Sequence, residues 1–530
     1  MLTEMQKQKI DGIFKLWVDH QGAGGQLVVV HKGEMVYEQC YGYANAETKE
    51  PITQESVFSV ASVSKQITAM SIMILQERGL LNIEDDIRKY LPDVVQFEEP
   101  VTISHMLHHT SGLRECYELT GLYDRQPGEI TTVPLIVKLL SRQKSLNFTP
   151  GTKFSYSNSG YVLLAVIVER LTGMTLNEFA TENIFRPLGM THSRFRDRPD
   201  LVIPHCVKGH HDDGTEYTLV NSDPCTYGSG GLRSTARDLV KFMPQYVNPT
   251  LVSKTLMDEI YLHIPPLADG TVTNYACGVR INELLGHKYY HHGGVNGGFR
   301  AFSVIFPDDD LVIAVNTNTY NIPIETAGRD VARVVLGLPE RKIGDLEEFR
   351  GAGQAEAGYY LSAKTGRRMQ IKVEGGNAFV KFMGKWAPLT HLGDNLYKMG
   401  RRNITFAFGE TLTVDQEGAV DTLTRLTAET KTPEDYVGTY YSSESMGTLR
   451  VTNENGSLIL TTPGNDRLEL HQTQKDTFCY GSMGSYGCQY QFHRAEDGTV
   501  GSVTYVASQI TGLEFGKIHE KNGQPNKNML

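Results

Sequence analysis

Val57-Phe58-Ser59-Val60-Ala61-Ser62-Val63-Ser64-Lys65-Gln66-Ile67 is the stretch on which the reading of this chain turns. A β-like segment, Val57 to Val60, runs into an apolar helix whose period is kept by Ile67, Met70, Ile74 and Leu75 until Gly79 stops it. Ser62 and Lys65 stand three apart at that helix start, so both side chains share one face. The helix N-terminus carries partial positive charge, which disfavours a protonated Lys65 and stabilises negative charge growing near Ser62. A serine hydroxyl becomes a nucleophile only with a base beside it, and a desolvated neutral lysine serves as one. Ser-x-x-Lys alone is a weak pattern, since Ser141-Arg142-Gln143-Lys144 also matches it. The bland alternative is a helix-capping serine followed by a surface lysine. Position favours Ser62.

Two other stretches carry matching chemistry. Tyr156-Ser157-Asn158 follows Pro150-Gly151-Thr152-Lys153-Phe154 and precedes a helical run from Tyr161 to Leu171 that Gly173 ends, which places it in a tight loop. A phenol shuttles a proton when a nearby cation lowers its pKa, and an amide holds a carbonyl or a lysine in place. Tyr246-Val247-Asn248 repeats the pattern without such a loop. His291-His292-Gly293-Gly294 ends the β-like run Lys288-Tyr289-Tyr290 and enters the turn Val295-Asn296-Gly297-Gly298 before Phe299. Glycines there let a strand backbone approach a substrate closely. The N–H of Val295, paired with that of Ser62, would form an oxyanion hole. Taken singly, these stretches also read as a tyrosine packed at a turn and a hairpin bearing two histidines.

In order, Ser62-x-x-Lys65, Tyr156-x-Asn158 and His292-x-Gly294 resemble the three-motif signature of the penicillin-recognising serine enzymes, the superfamily of class C β-lactamases, DD-peptidases, D-aminopeptidases and related esterases. His109-Thr110-Ser111-Gly112-Leu113, Pro187-Leu188-Gly189-Met190 and Gly230-Gly231-Leu232 with Ser234 and Asp238 resemble that family too. Counting back from Gly298-Phe299 starts the third motif at His292, although His291 satisfies the bare pattern. The resemblance covers about the first 320 residues. It implies that Ser62, Lys65, Tyr156 and His292 are catalytic, that Asn158, Gly294 and Val295 bind substrate, and that no metal and no cofactor is needed.

The fold class read from the residues is α+β. Leu27 to Val30 and Met35 to Tyr41 form a hairpin through Lys32-Gly33, and Ala301 to Phe306 and Leu311 to Val315 form another through Pro307-Asp308-Asp309-Asp310. Strands at both ends of residues 1–338 with helices between predict one antiparallel sheet, its edges distant in sequence, beside a helical lobe. With the resemblance, this is a β-lactamase/DD-peptidase-like catalytic domain. Residues 350–430 and 433–530 are expected to be two small antiparallel β-barrels of lipocalin-like form. Each opens on a Gly-Tyr start (Gly358-Tyr359-Tyr360, Gly438-Thr439-Tyr440-Tyr441), and Gly376, Gly384, Ile371, Phe379 and Val380 recur at constant offset as Gly456, Gly464, Val451, Ile459 and Leu460. The linkers between regions fall around Leu338 to Gly353 and Ala428 to Asp435.

A catalytic domain followed by two such barrels is most similar to the D-aminopeptidase group. There, a hairpin of the last barrel brings an acidic residue to the substrate amine. The matching stretch, Tyr480 to Gly487, holds no Asp or Glu, so strict aminopeptidase specificity is not written into it, and whether Gly481–Gly487 reaches the active site is open.

Composition narrows the rest. The 530 residues carry a net charge of −10 without a Lys/Arg block, which excludes the basic face of a nucleic-acid partner. The first sixteen residues read as an amphipathic helix, and the longest apolar run, Tyr161 to Val168, is too short to span a bilayer, so no membrane partner is expected. Seven scattered cysteines without CxxC spacing suit a reducing, cytoplasmic setting. His105, His108 and His109, and the loop set His205, Cys206, His210, His211, Asp212 and Asp213, are the weaker metal candidates. There is no P-loop, no GxGxxG and no GxSxG elbow.

The expected activity is a serine hydrolase that forms an acyl-enzyme on Ser62 and cleaves a small amide or short peptide, D-amino-acid-containing. Lys65 or Tyr156 is the base, and His292 assists the proton relay or docks the substrate. An esterase or β-lactamase of the same fold, or a ligand-binding homologue without turnover, stands as the alternative. The two barrels offer surfaces for a homo-oligomer.

Overall fold

The computed structural model describes residues 1–15, 17, 22–94, 97–212, 217–220, 225–320, 322–340, 354–362, 368–382, 385–399, 404–416, 419–425, 433–480, 488–507 and 509–518. The chain divides into two compact units. The first comprises Met1–Leu113, Ile130–Ser141 and Phe148–Arg341, and the second comprises Arg114–Glu129, Arg142–Asn147 and Lys342–Leu530.

In the first unit, six strands make one antiparallel sheet in the spatial order Arg280–Leu284, His287–Asn296, Phe299–Phe306, Leu311–Thr317, Gly25–His31, Glu34–Tyr41. Both expected hairpins are present, and the N-terminal one joins the later strands through pairs such as Val28↔Ala314. Period-two alternation gives the sheet two buried faces. Leu27 and Val29 meet Phe302, Val304, Phe306, Ile313 and Val315 on one face, under residues of helices Glu4–Ile13 and Ile324–Leu336 such as Ile10, Val331 and Val335. Each such side chain contributes roughly 1.5–3 kcal/mol by burial. The opposite face is polar where the helical lobe sits: Gln66 Nε2 donates to Ser303 Oγ at 3.0 Å, and the N–H of Ala236 donates to Gln26 Oε1 at 2.9 Å.

Two long helices form the heart of the lobe. Every residue from Ser64 to Leu75 of helix Ser64–Glu77 is buried, so its polar side chains find internal acceptors; Thr68 donates to Gly228 O at 2.8 Å and Ser71 to Ile67 O at 2.9 Å. Helix Asn158–Thr172 packs on it and ends at Gly173, whose φ of 69° is the left-handed terminus glycine allows. This helix starts three residues before the sequence reading placed it, at the asparagine of the second motif.

The second unit holds two closed eight-stranded antiparallel barrels, spanning Gly358–Leu361 to Ala419–Arg425 and Gly438–Ser442 to Leu513–Ile518. The repeat read from the sequence is visible in the ladders. Gly358 pairs with Ile371 as Gly438 pairs with Val451, and Ile371 pairs with Val380 as Val451 pairs with Leu460. Tyr360 and Tyr440 each donate a hydroxyl to the carbonyl four residues back, of Glu356 and Tyr436. Gly481–Gly487 lies outside the described residues.

One feature of this unit has no local sequence signal. Residues 114–129 and 142–147 lie within the expected first domain, 1–338, yet group with the barrels. Arg114, buried to 1%, donates to Glu444 Oε2 at 2.7 Å, to Gln143 Oε1 at 2.8 Å and to the carbonyl of Thr511 at 3.1 Å. Glu444 Oε2 also accepts the backbone N–H of Lys144 at 2.9 Å.

Candidate active site

Ser62 sits in a single 3-10 turn, Ala61–Val63, that feeds helix Ser64–Glu77. Ala61 holds φ at 47°, a left-handed conformation that costs a non-glycine residue about 1–3 kcal/mol and marks a strained elbow. The elbow leaves Ser62 partly exposed while its neighbours are buried. Lys65, one turn on and fully buried, places Nζ 3.2 Å from Ser62 Oγ, 2.7 Å from Asn158 Oδ1 and 2.8 Å from the carbonyl of Ser229. The amide oxygen of Asn158 and the Ser229 carbonyl can only accept, so they engage two N–H bonds of the lysine. Nζ also faces Ser62, to which an ammonium donates a proton and a neutral amine can offer its lone pair.

Tyr156 is brought to the same point. Lys65 Nζ lies 4.7 Å from the centre of its ring, and its ring centre stands 6.3 Å from that of His292. His292 is buried on strand His287–Asn296, which runs on through the whole third motif before a two-residue turn, Gly297-Gly298. Its Nδ1 donates to Gly293 O at 2.6 Å, because a carbonyl cannot donate, and its Nε2 accepts the hydroxyl of Tyr275 at 2.9 Å. Burial, then the neighbouring Lys65 and Arg280 charges, hold the imidazole well below its ordinary pKa, so it is neutral near pH 7.

The strand comes close enough to matter because Gly294 has no side chain. A Cβ there would lie 2.2 Å from Val60 O and 3.0 Å from Ser62 N. The ladder phase sets the direction of its amides. Ile281 gives its N–H to Asn274 O, away from the next strand, so Arg280 and its partner His291 face each other in a hydrogen-bonded pair. Amides of 293 and 295 point the same way as that of 291, and strand Arg280–Leu284 has no residue opposite them. The N–H of Val295 therefore points away from strand Phe299–Phe306, past the end of the ladder at Arg280, and Val295 is 59% exposed.

The structure thus gathers all seven site residues named from sequence: Ser62, Lys65, Tyr156, Asn158, His292, Gly294 and Val295. Three participants were not singled out for roles in the catalytic chemistry. Ser229 acts through its carbonyl, which carries no residue identity. Tyr275, an isolated aromatic in an irregular stretch, is the hydrogen-bond partner of His292. His109, read from the sequence as family text and as a weak metal candidate, stacks on the Tyr156 ring at 4.2 Å. The two decoys have structural employment: the Tyr246 hydroxyl donates to Gln66 Oε1 at 2.7 Å, and Arg142 and Gln143 bind residues 443 and 444.

Of the metal candidates, His105 Nδ1 accepts the N–H of Thr102 and His108 Nδ1 contacts the Ser104 carbonyl, while His210 lies between Ala46 and Asn318. Among the described residues no three His, Cys, Asp or Glu side chains are placed to hold an ion, and no single helix is long and apolar enough to cross a membrane.

Comparison with known proteins follows the same lines. The Beta-lactamase family matches residues 7–336, and a domain of unknown function matches 424–517, which spans the second barrel up to Lys517. The D-aminopeptidase of Brucella anthropi is 24% identical over 518 residues, covering 94% of this chain and 96% of that protein. The octameric penicillin-binding protein homologue from Pyrococcus abyssi superposes with a TM-score of 0.57 at 23% identity, over 79% of this chain and 99% of the other. The D-amino acid amidase of Ochrobactrum anthropi SV3 superposes with a TM-score of 0.53 at 21% identity, over 63% of this chain and 99% of the other.

Proposed function

Since the chain belongs to the beta-lactamase family and is a serine hydrolase, we propose that it cleaves the amide bond of a small D-amino-acid amide or short D-amino-acid-containing peptide through an acyl-enzyme on Ser62. The observation that carries this reading is the position of Lys65 Nζ, 3.2 Å from Ser62 Oγ with two of its hydrogens engaged elsewhere. In its neutral form the amine takes the serine proton as Oγ attacks the carbonyl. Negative charge on the carbonyl oxygen is met by the N–H groups of Ser62 and Val295 and by the start of helix Ser64–Glu77. The proton passes to the leaving nitrogen through Tyr156, and water then releases the acyl group by the reverse route. Asn158 orients Lys65. His292, with both nitrogens engaged, keeps a neutral imidazole beside Tyr156 and enters the relay only by exchanging its bond to Tyr275.

The choice of a D-configured amide is supported by the D-aminopeptidase likeness along nearly the whole chain and by the fold shared with a D-amino acid amidase. A panel of D- and L-amino-acid p-nitroanilides beside p-nitrophenyl esters tests it. Turnover of D-anilides that disappears in Ser62→Ala supports the proposal. Turnover of esters alone makes the protein an esterase, and no turnover with no adduct at Ser62 makes it a binding homologue.

A further inference from the structure

His109 is the residue around the site whose placement is least explained by packing. It is fully buried, yet it holds φ at 59°, the left-handed region, and sits among Tyr156, Tyr275, Tyr161 and Phe154 with ring centres 4.2, 4.4, 5.2 and 5.9 Å away. Two hydrogen bonds define its orientation. Its carbonyl accepts the N–H of Ser155 at 2.9 Å, and its Nδ1 accepts the N–H of Ser157 at 3.0 Å. Ser157 is extended (φ −132°, ψ 121°), and in extended chain the amides of residues i and i+2 point the same way. One residue therefore receives both amides that flank Tyr156, half of the pairing coming from a side chain.

From this double clamp we infer that His109 is a positioning residue for Tyr156, holding the phenol at its distance from Lys65 without touching substrate. The inference rests on the proposed role of Tyr156 in proton transfer. An ordinary aromatic could fill the space, but only an acceptor at the δ position completes the clamp. Because Nδ1 accepts, the ring proton is on Nε2, a buried N–H with no hydrogen-bond partner among the described residues. The charged and titratable groups that face it are Lys65 from helix Ser64–Glu77, His292 and Arg280 from the sheet, His108 beside it in the chain, and the three tyrosines. Burial, with Lys65 and His292 next, keeps the imidazole uncharged. The clamp is thus insensitive to pH through the neutral range.

The test compares His109→Asn, which keeps an oxygen acceptor at the δ position and tolerates a left-handed backbone, with His109→Leu and His109→Ala, which lack the acceptor. Steady-state kinetics on D-alanine p-nitroanilide, alongside wild type and Ser62→Ala, give kcat and KM separately. Loss of geometry of about 1 Å costs on the order of 100-fold in rate. The expected result is a kcat loss of that order in the leucine and alanine variants with KM nearly unchanged, and recovery to within about tenfold of wild type in the asparagine variant. Equal kcat in all three variants, or a loss confined to KM, overturns the role. If neither acceptor-free variant is soluble, the asparagine variant decides: a loss of about 100-fold overturns the inference, and near-native kcat supports it. An inactive wild type would instead defeat the functional proposal, which separates the two failures.

Discussion

Gly294→Ala is the substitution whose consequence can be worked most fully from the geometry. The added methyl would stand 2.2 Å from Val60 O and 3.0 Å from Ser62 N, both main-chain atoms of the strained elbow. Ordinary contact between such atoms is about 3.5 Å, so strand and elbow must part by roughly 1 Å. That displacement widens the gap between the Val295 and Ser62 amides and moves Ser62 relative to Lys65. Misplacement on this scale costs on the order of 100-fold in kcat, or about 2.7 kcal/mol of transition-state stabilisation. Overpacking adds a stability loss of about 1–3 kcal/mol. Gly293→Ala is the control. Its methyl would meet Glu325 Oε1 at 1.9 Å, the far end of a side chain on the other face, which can swing away. Kinetics on a D-amino-acid p-nitroanilide, with thermal unfolding of each variant, should show Gly294→Ala at least tenfold more damaged in kcat than Gly293→Ala. Equal effects, or a nearly active Gly294→Ala, would refute the claim that the strand backbone closes on the nucleophile.

Two further outcomes follow from buried charge. His109, His291 and His292 are neutral when folded, with His291 pushed down to about 3 by burial and then by Arg280 and Arg329. Their folded pKa lies below the unfolded value, so the unfolded chain binds more protons. Their stabilisation is complete above about pH 6.5 and is lost as pH falls, by up to about 1.4 kcal/mol per pH unit for each. Thermal unfolding from pH 8 to 4 should show a flat region and then a decline, blunted in His291→Gln; a Tm that rises on acidification contradicts this. Glu444→Gln removes the carboxylate to which the buried Arg114 donates and should cost about 1.5–3 kcal/mol. Hydrogen exchange should then accelerate in 114–129 and 142–147, and unchanged protection there would show that the pair does not hold these segments.

What could be read without coordinates had a local or periodic signature. Ser62 and Lys65 announce themselves by three-residue spacing at a helix start, and the barrels by glycines and apolar positions recurring at one offset. The hairpins at Lys32-Gly33 and Pro307-Asp310 told which strands pair locally. Their union into one sheet was legible only as a strand pattern at both ends, because pairing of Val28 with Ala314 leaves no local mark. The hidden participants are those whose chemistry is main-chain or conformational. Ser229 offers a carbonyl, His109 a left-handed backbone, and Tyr275 a hydroxyl whose partner lies 17 residues away. Arg114 meets Glu444 across 330 residues, so nothing near Arg114 in the chain marks it as part of the barrel unit.

Intact-protein mass spectrometry after brief exposure to a fluorophosphonate, with peptide mapping of the adduct, tests the central claim most directly. The account predicts one adduct on Ser62, formed slowly or not at all when Lys65 is replaced by Met. Labelling at another serine, or undiminished hydrolysis by Ser62→Ala, would contradict it.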